Sequence, residues 1–249
     1  MEWGFFSITH IITLIFAVGT IPALHFMLRK RSWKTQLWVL GPLSFLGVIS
    51  VIYHLVAHNC PLENLPLHLC SINALVLPIA VFTRNKTLGN LLLLWCLGAL
   101  MALVLNNATA AVSIFSWSFF YYYFPHVVEF AFPILMVSLG HVKKEPKSIL
   151  VSVGISMGLY TCVHFANMGL NKYFTAHNVC NPSGNLIQAN YMYTLEPNNP
   201  MCEFFQNLIP GPYWYMYLAI PLLVAYLLII YAPDIIRSLK NKKSTTKTA

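Results

Sequence analysis

The chain has 249 residues, 57% of them hydrophobic and only 9% charged, with a formal net charge of +8. Soluble domains carry about a quarter charged residues, so the composition excludes an ordinary soluble domain and points to bilayer spans. The positive charge does not mark a nucleic-acid binder, because neither a soluble domain nor an aromatic-basic interleave accompanies it.

The first apolar run starts near Phe5 and reaches about residue 28. No basic region precedes it and no small-residue cleavage site ends it, so it reads as a retained helix and not a signal peptide. Six more spans are predicted over about 36–57, 66–83, 88–106, 116–140, 148–169 and 212–232. The class is therefore all-α: a polytopic membrane protein, a bundle of seven transmembrane helices. Pro78, Pro125 and Pro133 fall inside spans, which bilayer helices tolerate when neighbours satisfy the freed carbonyls.

The basic residues give direction. Arg29, Lys30, Arg31 and Lys34 follow the first span, Arg84 and Lys86 the third, and Lys143, Lys144 and Lys147 the fifth. Arg237, Lys240, Lys242, Lys243 and Lys247 follow the seventh, and only Lys172 has the opposite parity, so fourteen of the fifteen lie on one side. The positive-inside rule makes that side cytoplasmic, with the N-terminus outside and the C-terminus inside. One membrane domain covers 1–236, including an extracellular loop over 171–212, and a basic cytoplasmic tail covers 237–249. The loop reads either as a lid or as surface structure. Cys180 is a candidate to pair with Cys202, with Cys60 as another partner.

Ionisable groups inside a bilayer are expensive and face a cavity or a partner. In chain order, His54 ends the second span and His68, Cys70 and Asn73 open the third. Asn106 and Asn107 end the fourth, His126 and Glu129 lie in the outer half or near the middle of the fifth, and His164 and Asn167 end the sixth. All fall toward the outer leaflet. His126 and Glu129 are three residues apart on one helix face, so the carboxylate is expected to orient the imidazole. On an ideal helix His68 and Cys70 point about 200° apart, so they are not expected to touch, and His68 is expected to approach the fifth or sixth span. Cys70 reads as a packing residue or a nucleophile. Cys96 and Cys162 read as core residues, and His10, His25, His58 and His141 as interfacial.

L-P-L-H-L-C at 65–70, Q-A-N-Y-M-Y at 188–193 and P-G-P-Y-W-Y at 210–215 resemble the YwaF family of bacterial integral membrane proteins. P-x-H at 66–68, G-A-L-x-A-L at 98–103, Y-Y-x-x-H at 122–126 and H-F at 164–165 are similar to transmembrane protein 164 of animals, a membrane acyltransferase that remodels ether phospholipids. The likeness implies functional positions at His68, His126 and His164. In the animal pattern the cysteine directly precedes the matching histidine. Here that position is Leu67 and the cysteine falls at Cys70.

The expected function is acyl transfer between phospholipid and lysolipid in the outer half of the bilayer. His126, oriented by Glu129, would be the base, with Cys70 as nucleophile or the acceptor hydroxyl attacking directly, and His68 and His164 in the same site. Asn73, Asn106, Asn167, Asn190 and Tyr191 are the candidate substrate contacts. Membrane phospholipids are the expected partners, with no nucleic acid, obligate protein partner, cofactor or metal, in a bacterial plasma membrane. The alternative is a membrane carrier or binding protein for a small polar or lipid ligand, distinguished by polar groups running through to the cytoplasmic side.

Overall fold

The computed structural model describes residues 2–57, 60–105, 112–198 and 200–246. His58, Asn106, Asn107 and Lys247 lie outside the described residues. The helices are α1 (Ile8–Leu28), α2 (Trp33–Ser44), α3 (Leu46–Ala57), α4 (Leu69–Thr83), α5 (Lys86–Leu105), α6 (Trp117–Ser138), α7 (Lys147–Ala176), α8 (Pro200–Leu208) and α9 (Ala219–Thr246). Two short strands, β1 (Glu2–Trp3) and β2 (Val112–Ser113), pair antiparallel.

Among the described residues, six helical stretches are long and apolar enough to cross a membrane: Ile8–Leu28, Trp33–Ala57, Lys86–Leu105, Trp117–Ser138, Lys147–Ala176 and Trp214–Arg237. The second is α2 and α3 in series, broken at Phe45 three residues after Pro42. The stretch expected to form the third span holds α4, a 15-residue helix. At 1.5 Å per residue α4 is about 22 Å long, short of a bilayer core of about 30 Å.

Local chemistry sets the helix starts. Ser7, Ser32 and Ser116 are N-caps whose side chains accept from the backbone N–H of His10, Thr35 and Phe119. Each satisfies a donor that the first helical turn leaves without a partner. Pro125 brings no N–H to the carbonyl of Tyr121, and the Ser50 hydroxyl of α3 donates to that oxygen at 2.6 Å instead. Helix α6 is thereby tied to its neighbour.

Helices α5 and α6 form the centre. Leu92, Cys96, Ala131, Phe132 and Leu135 are buried between the surrounding helices. The periphery carries exposed apolar side chains, among them Ile8, Ile15 and Phe16 of α1, Leu150 of α7 and Ile229 of α9. In a bilayer this belt faces lipid tails.

The basic turns meet at one end of the bundle. Gln36 donates to the carbonyls of Leu28 and Arg31 at 3.0 and 3.1 Å and also bonds His141. The Arg84 guanidinium lies 4.3 Å above the Trp33 ring. Lys86 pairs with Glu145 at 2.9 Å and Lys144 with Asp234 at 3.0 Å. Asn90 donates to the Lys143 carbonyl at 3.1 Å and bonds Tyr231.

At the opposite end Trp3 is buried edge-on against His10 and Phe119. His10 is fully buried rather than interfacial. Its Nε2 lies 2.8 Å from the Leu103 carbonyl, and its Nδ1 accepts from the Phe6 N–H at 3.1 Å. No disulfide joins Cys180 to Cys202, the first being exposed and the second buried. Cys162 is exposed rather than in the core, whereas Cys96 is buried as expected.

Candidate functional site

The half of the bundle away from the basic turns encloses a cavity of about 750 Å³. Its walls come from α3, α4, α5, α6, α7 and α9, capped by residues 191–193 and α8. On α5 the lining runs from Leu94 to Leu105, on α6 from Tyr121 to Glu129, and on α7 from Val153 to Tyr160. The wall is mostly apolar, formed by residues such as Leu97, Met101, Met157, Ile220 and Leu223. Into it come the polar side chains of His54, His68, Cys70, Asn73, His126 and Glu129.

His126 is oriented by the backbone and not by Glu129. Its Nδ1 lies 2.6 Å from the Tyr122 carbonyl one turn earlier. A carbonyl only accepts, so Nδ1 carries the hydrogen and Nε2 keeps its lone pair. The Glu129 carboxyl instead lies near the Asn73 side chain of α4. Cys70 is also near it. Asn73 and Glu129 are 1% and 2% exposed, and Asn73 Oδ1 and Glu129 Oε2 have no hydrogen-bond partner.

His68 sits just outside α4 as its N-cap residue, with extended backbone. The helical 200° offset from Cys70 therefore does not apply, and both residues line the cavity. His68 does not approach the fifth or sixth span by a hydrogen bond. Its Nδ1 accepts the Met192 N–H at 3.2 Å, and its ring lies 5.3 Å from Tyr191 and 5.4 Å from Tyr193. In the neutral ring Nε2 then carries the hydrogen. The two imidazoles are complementary: Nε2 of His126 accepts and Nε2 of His68 donates.

The stretch expected as a long outer loop is ordered. Helix α7 continues to Ala176, so Lys172 lies on a helix. A bridge joins Cys180 to Leu186, and a short 3₁₀ turn covers Tyr191–Tyr193. Met192 and Tyr193 hold φ values of 53°, and Tyr213 one of 68°. Such left-handed backbone in bulky residues costs of order 1–3 kcal/mol and persists only where surrounding bonds enforce it.

Those bonds come largely from Asn167, which is fully buried. Its amide donates to the Tyr191 carbonyl at 2.9 Å and to Thr194 Oγ1 at 2.8 Å, and its oxygen accepts the Tyr191 N–H at 3.1 Å. The Tyr213 N–H donates to the Thr194 carbonyl at 2.8 Å, and Tyr215 bonds the Tyr193 carbonyl. Tyr191 faces the cavity, and its hydroxyl donates to the Leu62 carbonyl at 2.8 Å.

Three expected site residues therefore stand apart from the cavity wall. Asn167 is a clamp for the cap. Asn190 closes a local turn, accepting from the N–H groups of Leu195 and Glu196 at 3.1 and 3.3 Å. His164 lies four residues beyond the last α7 residue of the wall, its ring 4.7 Å from Tyr213 and its Nδ1 without a partner. The backbone carbonyl of Tyr122 and the amide of Met192, which set the two tautomers, carry no signal in the sequence.

A family model described as the TMEM164 family matches residues 5–231 of this chain. Comparison with curated proteins and with solved structures found no match.

Proposed function

The chain belongs to the TMEM164 family, and on that premise we propose that this multi-pass membrane protein is a lipid acyltransferase. The observation that carries the reading is the apolar cavity of about 750 Å³ with His68, Cys70 and His126 in its wall. Its size lies within the range of about 300–1,000 Å³ of small-molecule sites. An acyl chain fills the apolar part and its ester reaches the imidazoles.

His126 Nε2 takes the proton of an acceptor lipid's hydroxyl as that oxygen attacks the donor ester carbon. The oxyanion formed takes a hydrogen bond from His68 Nε2–H, a donor type worth roughly 3–4 kcal/mol where one has been removed elsewhere. Collapse breaks the bond to the donor's alkoxide, which takes the proton back from His126. The products are the acylated acceptor and a lysolipid. A covalent route through Cys70 is the alternative, since the thiol lies in the first turn of α4 and a helix N-terminus or an adjacent base favours a thiolate.

We also propose seven spans, with α4 and the extended residues before it crossing together and the basic end in the cytoplasm of a plasma membrane. Cys180, free and exposed beyond α7, then faces outside and reacts with a membrane-impermeant maleimide on intact cells. Absence of labelling until the cells are opened would reverse the orientation.

The activity is tested by acyl exchange between labelled phospholipid and lysolipid on purified protein. Wild type and Cys70→Ala are expected to turn over and His126→Ala to be inactive. Loss of turnover in Cys70→Ala alone would move the mechanism to the covalent route. No turnover in wild type would overturn the reading.

A further inference from the structure

Asn73 and Glu129 face the same cavity, yet the transfer chemistry above uses neither. Asn73 Oδ1 and Glu129 Oε2 are buried polar atoms without a partner, in side chains 1% and 2% exposed. A buried acceptor left unpaired is costly, so such a pair points to a place where a polar ligand binds. Asn73 of α4 and Glu129 of α6 come close across the contact of their helices, so the two unpartnered oxygens belong to one place in the cavity.

The chemistry of that ligand follows from counting hydrogens. Asn73 Oδ1 can only accept, so the ligand must give it a hydrogen. A lipid alcohol that hands its single hydroxyl hydrogen to His126 has none left for Asn73. Water has two. Water also suits Glu129 in either protonation state, since it both donates and accepts. Buried waters of this kind make about three hydrogen bonds to polar groups that lack partners.

We propose that Asn73 and Glu129 hold a water molecule as a second nucleophile, so that the site hydrolyses lipid esters as well as transferring acyl groups. This rests on the acyl-transfer reading, because the ester must lie in the same cavity. In the step, water oxygen bonds to the ester carbon and His126 Nε2 takes one of its protons. The carbon–oxygen bond to the leaving alcohol then breaks, and the proton passes to that alkoxide. The second hydrogen stays on the released fatty acid. Asn73 and Glu129 are positioning residues for water, and an alcohol acceptor depends on them less.

The test incubates purified full-length protein with phospholipid in ¹⁸O-water, without and with lysolipid, and measures labelled fatty acid and transferred acyl chain separately. Wild type is expected to release ¹⁸O-labelled fatty acid. Asn73→Leu and Glu129→Gln are each expected to lower the ratio of hydrolysis to transfer by about tenfold or more. Should Asn73→Leu fail to fold, Glu129→Gln and the wild-type label still decide. Transfer without labelled acid would overturn the inference and leave the acyltransferase standing. An unchanged ratio in a folded variant would remove the two residues from the role. Absence of both activities would overturn inference and acyltransferase together.

Discussion

The Nδ1 of His126 lies 2.6 Å from the carbonyl oxygen of Tyr122, one helical turn before it. This bond fixes the tautomer without any acidic partner and leaves Nε2 as the basic atom. His126→Asn keeps a side-chain donor near the Nδ1 position and removes Nε2. Acyl exchange should then drop about 10²–10⁴-fold, the usual contribution of a positioned general base, while the unfolding midpoint stays close to wild type. Turnover near the wild-type rate in a well-folded His126→Asn protein would take the base role away from this residue.

The cap over the cavity hangs on Asn167, whose side chain makes three hydrogen bonds to Tyr191 and Thr194. Replacement by alanine leaves buried backbone groups without partners and costs about 1–3 kcal/mol, locally. Hydrogen exchange at residues 190–195 is expected to speed up about tenfold to a hundredfold, with α5 and α6 unchanged. Equal protection in Asn167→Ala and wild type would mean that the cap is held by other contacts.

Gly47 lets α3 approach α4 closely. A Cβ added there would lie 2.6 Å from Ala74 Cβ and 3.4 Å from Glu129 Oε1. Gly47→Ala should lower stability by about 1–3 kcal/mol through overpacking. Ala74→Gly removes the atom that collides, so the double variant should recover part of the loss. Strictly additive losses in the two single changes would show that α3 and α4 are not in contact at this point.

At the basic end, burial and the neighbouring Arg84 charge hold the His141 imidazole down to about 4. In the unfolded chain its value is about 6.5. As pH falls from about 6.5 toward 4, the unfolded state takes up a proton that the folded state refuses, so stability is lost across that window. Above it the contribution is complete. His141→Gln, neutral at every pH, should flatten the fall in unfolding midpoint between pH 7 and 5. Parallel curves for variant and wild type would contradict the burial of this ring.

The site was legible in the sequence only in part. The gathering of His68, Cys70, Asn73, His126 and Glu129 follows from their depth in the spans, and all five do line one cavity. Their partners do not follow. The i, i+3 spacing suggested that Glu129 orients His126, but a helix also offers every side chain a carbonyl four residues back, and His126 takes that one. Glu129 finds Asn73 across the α4–α6 contact, a pairing that needs the packing of two helices. His164 stands outside the wall, whose α7 lining stops at Tyr160, and α7 runs to Ala176, beyond the expected end at residue 169. Its outer turns then belong to the cap and not to the cavity wall.

The sequence alone determined the helical membrane class and the basic end, because apolar length and the cost of charge in hydrocarbon are properties of local composition. The tertiary structure decided which nitrogen of each imidazole is free, which carboxyl meets which amide, and what closes the cavity. Those outcomes depend on hydrogen bonds between segments far apart in the chain, such as Met192 to His68 and Asn167 to Tyr191, and no local pattern encodes them.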